Sequence, residues 1–125
     1  MQKLFILVAS VLILANIGCD KTTPVNYLDK ADCTGVEATT NTYTRNIKAI
    51  LDNSCALSGC HDPYSARSRV DLSNYANAKS AFQNSTCLCA IHHGSECNPM
   101  PRGGPQLDDA SIKLIDCWAK NGYKE

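Results

Sequence analysis

Charge of either sign is not in excess in this chain: twelve Lys and Arg are balanced by twelve Asp and Glu. No basic patch or stripe stands out, so the electrostatic footprint of a nucleic-acid-binding surface is missing. No run of like charge suggests a solvated tail. The alternation of apolar and polar residues that marks a half-buried strand is also missing, as are internal repeats and low-complexity tracts. No apolar run reaches the ~20 residues that a membrane-crossing helix needs. Nothing resembles a Ser-His-Asp set or a carboxylate pair arranged for hydrolysis. Asp108 and Asp109 read as helix-start residues, and Asp71 and Asp116 as solvated charges.

What the chain does have is cysteine, eight in 125 residues. A chain of this length makes one domain, and such a load is expected outside the cytoplasm, where disulfides and covalent cofactors persist. The first residues agree. Lys3 precedes an apolar run from Leu4 to Ala15, which together form the n-region and h-region of a secretory signal. The run ends in Asn16-Ile17-Gly18-Cys19, which resembles the lipobox of bacterial lipoproteins, with Asn16 where a leucine is usual. That resemblance implies a signal peptide over residues 1–18, lipidation of Cys19 and a membrane-anchored, periplasm-facing protein of the cell envelope. Residues 19–41 then read as a polar tether with one anchor at Cys33, and residues 42–125 as the folded domain.

The domain reads as all-α, with three helices and two long loops. Tyr43, Ile47, Ile50 and Leu51 make one helical face within 42–53, with Thr42 as cap. Residues 54–69 carry no stripe and hold Cys-Ala-Leu-Ser-Gly-Cys-His-Asp-Pro, with Gly59 and Pro63 as breakers. A short helix is expected over about 73–83, capped by Ser73 or Asn74. Residues 84–106 read as one long loop. A final helix begins at the cap Asp108, carries Ile112, Ile115 and Ala119 on one stripe with Leu114 and Trp118 beside it, and closes at Asn121-Gly122. Three short helices enclose little core. A staple is therefore expected, in the form of disulfides, a metal or a flat apolar cofactor.

The chemistry concentrates at Cys55-Ala56-Leu57-Ser58-Gly59-Cys60-His61. Two cysteines followed directly by histidine form the attachment signature of c-type haem. The two thiols add to the vinyl groups of the macrocycle as thioethers, and the histidine presents an imidazole nitrogen to the iron. The usual spacing puts two residues between the cysteines; here there are four. The extra residues are accommodated if Ser58-Gly59 turns the chain with Gly59 in a left-handed conformation. The same loop-rich region holds Met100 between Pro99 and Pro101, which stiffen its backbone. Gly103 and Gly104 let that loop pass close to a ring. Met100 is the favoured sixth ligand of such an iron, with His92 or His93 as alternatives.

The order of these features resembles that of small class I-like monohaem c-type cytochrome domains in bacterial envelope lipoproteins. The outline is carried by TRNIKAILDNSCALSGCH and PMPRGGPQLDDASIKLIDCWAKNGY, and covers Thr42 to Tyr123. The resemblance implies one covalent haem c on Cys55 and Cys60, His61 and Met100 as iron ligands, and electron transfer rather than catalysis. It also implies envelope redox proteins or a terminal oxidase as partners.

Cys33, Cys87, Cys89, Cys97 and Cys117 remain, an odd number that leaves one unpaired. A Cys97–Cys117 bond would staple the methionine loop to the last helix, and Cys33 could then reach Cys87 or Cys89. Cys87, Cys89, His92, His93 and Cys97 also form a weaker zinc-like set. Two other functions compete. In a haem-free lipoprotein, Cys55 and Cys60 would bond to each other. An open-site haem enzyme would need a catalytic side chain, for which Arg102 is the one candidate.

Overall fold

The computed structural model describes residues 26–125. The signal peptide over 1–18, the lipidation site Cys19 and the tether as far as residue 25 lie outside the described residues. Within them the protein is all-α, with five helices and no strand: α1 (Tyr27–Lys30), α2 (Lys48–Ser54), α3 (Tyr75–Phe82), α4 (Ser85–Ile91) and α5 (Asp109–Lys120). A single π turn, Tyr43–Ile47, leads into α2. Among the described residues, no helix is long and apolar enough to cross a membrane.

α5 is the backbone of the domain. The Asp108 carboxylate accepts from the Ser111 N–H, as an N-cap should. Ile112, Ile115 and Ala119 are buried as expected, and Trp118 is completely buried. The indole of Trp118 touches Tyr43, Phe82 and Tyr123, the last at a ring-centre distance of 5.0 Å. Its N–H donates to the Lys124 carbonyl at 2.7 Å. That carbonyl also accepts from the Tyr43 N–H, while the Tyr123 hydroxyl donates to the Phe82 carbonyl and the Tyr75 hydroxyl to the Tyr123 carbonyl. The C-terminal segment thereby clamps the π turn and α3 around the tryptophan. Ile47, Leu51, Ala78, Phe82, Leu88 and Ile91 complete the core.

The structure departs from the expected elements in three places. The first helix is not capped by the Thr42 side chain. It opens with a wider π turn, in which the Ile47 N–H donates to the Thr42 carbonyl and the Lys48 N–H to the Tyr43 carbonyl, while the Tyr43 N–H, which has no partner within the turn, donates to the Lys124 carbonyl. The expected loop over 84–106 contains α4, capped by the Asn84 side chain on the Thr86 N–H. Leu88, Cys89, Ala90 and Ile91 are all buried, so this helix is apolar around its circumference and has no stripe to read.

The third departure is the tether. Residues 26–41 are fastened to the domain rather than free of it. Tyr27 and Leu28 pack against the core, the Lys120 ammonium donates to the Ala31 carbonyl, and the Asn41 amide donates to the Leu114 carbonyl. Four helical residues carry no periodicity, so these partners could be found only in three dimensions.

The disulfides are Cys33–Cys117 and Cys89–Cys97. The expected Cys97–Cys117 bond does not form, nor does Cys33 reach Cys87 or Cys89. The cause is the direction of α5, whose Cys117 faces the fastened N-terminal segment, and the presence of α4, which brings Cys89 beside the returning loop. Cys87 is the odd thiol. It lies two residues, about 200° of helix rotation, from Cys89 and faces the core.

Two expectations follow. Peptide mapping of the oxidised protein should recover the 33–117 and 89–97 linkages and no 97–117 linkage. Removing the first bond as Cys33→Ala/Cys117→Ala should lower stability to denaturant by up to about 4.5 kcal/mol, the chain-entropy value for so long a loop, since the two residues are 84 apart. Second, the Tyr43 hydroxyl is buried without a hydrogen-bond partner. Tyr43→Phe should therefore leave stability unchanged or raise it by about 1 kcal/mol, whereas a loss of 2 kcal/mol or more in the same unfolding assay would mean that the hydroxyl is satisfied after all.

Candidate cofactor site

α2 ends at Ser54, and the chain turns at once. The Cys55 and Ala56 N–H groups both donate to the Leu51 carbonyl. Leu57 to Cys60 form the turn expected from the sequence, closed by the Cys60 N–H on the Leu57 carbonyl at 2.9 Å. Gly59 has φ +80° there, a left-handed conformation that a side chain would strain. The His61 N–H then returns to the Cys55 carbonyl at 3.1 Å. The four residues between the cysteines are thus folded out, and Cys55 and His61 are joined through the backbone.

His61 is fixed on its far side as well. Its carbonyl accepts from the Leu72 N–H at 2.8 Å, and its ring Nδ1–H donates to the Val70 carbonyl at 2.9 Å. This selects the tautomer whose Nε2 keeps its lone pair. A histidine that ligates a metal is commonly held in this way, with the second nitrogen on a carbonyl that orients the ring and raises its basicity.

The loop over 93–107 supplies the other wall. The Met100 N–H donates to the Ala90 carbonyl at 3.0 Å, and the Met100 carbonyl accepts from His93 Nε2 at 3.1 Å. The Gln106 amide donates to the Ile91 carbonyl, and the Cys89–Cys97 bond closes the base of the loop. Between the walls is an open cleft with ≈ 800 Å³ of space, its solvent mouth included. Cys55, Cys60, His61 and Met100 all line it, with Leu57, Ile91, Pro101 and Leu107 as apolar surface. The four residues singled out in the sequence are therefore brought to one cavity from two separate loops.

His92 and His93 are not in that lining. His93 is used on the Met100 carbonyl. His92 Nε2–H donates to both Asp116 oxygens, at 3.0 and 2.9 Å, and its ring stacks on Tyr27. Asp116 is therefore not the solvated charge read from the sequence. It is only 6% exposed; burial raises its pKa, and the bond from His92 opposes that shift. The zinc-like set is dismantled too, because Cys89 and Cys97 are bonded to each other. Among the described residues no three His, Cys, Asp or Glu side chains converge on a point that could hold a metal ion.

The residues present fit a haem. Cys55 and Cys60 carry free thiols and are not bonded to each other, which removes the bond that the haem-free reading requires. The walls are apolar, one imidazole has a free nitrogen, and one soft thioether lies in the same cavity. The role of His93 was not legible in the sequence, where it read as a rival ligand. Only its position seven residues before Met100 hinted at a partnership.

The two thiols differ in environment. Cys60 is exposed, whereas burial, reinforced by the neighbouring Cys87 and Cys60 sulfurs, pushes the Cys55 thiol up to about 11. At pH 8 only about one Cys55 in a thousand is then thiolate. In protein without an attached cofactor, iodoacetamide at pH 8 should label Cys60 well before Cys55. Equal rates, followed by mass spectrometry, would show that Cys55 is not buried.

Comparison with protein-family models, with curated proteins and with solved structures returns no match, so any functional reading rests on the geometry of this cleft.

Proposed function

We propose that this chain is a monohaem c-type cytochrome that carries electrons in the bacterial cell envelope. The observation that supports the reading is the gathering of Cys55, Cys60, His61 and Met100 around one apolar cleft, with His61 Nδ1 already taken by Val70. Cys55 and Cys60 would hold the macrocycle at its edge, and His61 Nε2 and the Met100 sulfur would be the iron ligands. When bound, haem c supplies a one-electron ferric–ferrous couple.

The chain's own residues set the conditions for that couple. The Val70 carbonyl holds the His61 ring and makes Nε2 a better donor. The Met100 thioether is soft and neutral, which favours the ferrous state and a higher potential. Ala90 and His93 hold the Met100 backbone, so they position the sulfur without touching iron. Ile91, Leu107 and Pro101 exclude water, while the open mouth beside Leu57, which is 44% exposed, leaves an edge for a partner's cofactor to approach. Envelope redox proteins or a terminal oxidase are the partners this chemistry suits, and a lipid on Cys19 would keep the domain at the membrane surface.

The test is expression with the native signal in a host that has c-type maturation machinery. Haem bands in pyridine that stay with the chain through denaturation and acid-acetone extraction are expected, and Cys55→Ser/Cys60→Ser should release the haem. Met100→Ala should abolish the weak far-red ferric band of a methionine–iron bond and lower the potential. A colourless chain from a host shown to recognise the long Cys55–Cys60 spacing would overturn the reading.

A further inference from the structure

Gly94 is a glycine for the sake of a residue far from it in the chain. Its φ is not in the left-handed region, so its backbone conformation does not call for glycine. Space does. A Cβ at this position would overlap the Tyr27 hydroxyl oxygen and come within 2.8 Å of Cys89 Sγ. Tyr27 therefore lies against Gly94 with its hydroxyl end, while its ring stacks on His92 at a centroid distance of 4.6 Å. The floor of this seat is fixed, since His92 Nε2 is held by both oxygens of the buried Asp116. Tyr27 thus touches the residue before His93 and the residue after it. His93 itself has φ +52°, a left-handed conformation that a non-glycine residue adopts at a cost and keeps only where its surroundings fix it. From that conformation its Nε2–H donates to the Met100 carbonyl at 3.1 Å.

We infer that Tyr27 is a positioning residue for Met100: by clamping His92 and Gly94, it holds His93 in the left-handed conformation that places the imidazole on the Met100 carbonyl. The inference rests on the haem reading above for what the Met100 sulfur does, and adds the residue that keeps its backbone in place. Tyr27 is not in the lining of the cleft, so it acts through His93. The same stretch is closed by the Gly94 N–H on the Cys89 carbonyl and the Met100 N–H on the Ala90 carbonyl, both at 3.0 Å. Without Tyr27 the strain at His93 would be released by rotation to negative φ, which carries the ring off Met100. The Cys89–Cys97 bond would still close the base of the loop, so the loop would open more often without unfolding. Leu28, the next residue of α1, packs against the core and is the control, because losing it loosens α1 without emptying the seat.

The experiment uses the full chain exported by a host with c-type maturation machinery, unaltered and as Tyr27→Ala, Tyr27→Phe, Leu28→Ala and Gly94→Ala. Amide hydrogen exchange over 93–100 reads the loop and needs no cofactor. The imidazole concentration that displaces Met100, followed by the far-red ferric band, reads the sulfur. Tyr27→Ala should speed exchange of the Gly94 and Met100 amides about tenfold and lower the displacing imidazole concentration by a similar factor. Gly94→Ala, which pushes Tyr27 off its seat, should act in the same direction. Tyr27→Phe keeps the stack and should retain most of the effect of tyrosine, and Leu28→Ala should change either readout by no more than about twofold. Unchanged protection across α5 shows that a variant has folded. Unchanged loop exchange in Tyr27→Ala would overturn the assignment. So would equal acceleration in Leu28→Ala, which would make Tyr27 no more than a fastening of α1. Faster exchange with imidazole displacement unaltered would overturn it too, since the loop would then move without the sulfur. An unaltered chain with no far-red band would instead overturn the ligand role of Met100, and exchange alone would then decide whether Tyr27 holds the loop.

Discussion

Both walls of the cleft are loops, and a loop holds a functional geometry only if its backbone groups find partners elsewhere. Here they do so through a few long-range hydrogen bonds. The first wall is closed at His61, whose N–H, carbonyl and ring Nδ1 are bound by Cys55, Leu72 and Val70. The second is closed at Met100, held between Ala90 and His93. Without these bonds the same residues would be spread along irregular chain, with nothing to keep a thioether and an imidazole at one cavity.

Those bonds need rigid elements behind them. α4 provides one, since it carries both the Ala90 carbonyl that fixes Met100 and the cysteine that closes the loop. Its apolar circumference lets it sit with Leu88 in the core and Ile91 at the cleft. α2 provides the other, through the Leu51 carbonyl that ends the helix and turns the chain into the cysteine loop. Trp118 ties the π turn ahead of α2, and α3 beside α4, to α5 and the C-terminal segment. The Cys33–Cys117 bond extends the same body to the N-terminal segment.

Much of this was legible in the chain itself. The all-α class, α3 with its Asn74 cap, α5 with Asp108 and its buried stripe, and the turn at Gly59 follow from local rules. Local rules act between residues three or four apart, or on a single φ angle. The expectations that did not hold share the opposite property. The Cys97–Cys117 pairing failed because it assumed a loop where α4 stands. The tether hid α1 because four residues have no period. Asp116 looked solvated because nothing local shows that His92, 24 residues earlier, covers it.

The sequence by itself determined which residues stand out as a candidate site, because the types and order of Cys55, Cys60, His61 and Met100 are properties of the chain. It also determined where α3 and α5 begin and end, because caps and apolar stripes are local. Only the tertiary structure decided that the four residues share one cleft, that His93 serves Met100 and that His92 serves Asp116. It alone paired Cys33 with Cys117. Each of these depends on which distant groups meet, and that is set by the packing of the helices and the C-terminal segment into one core around Trp118.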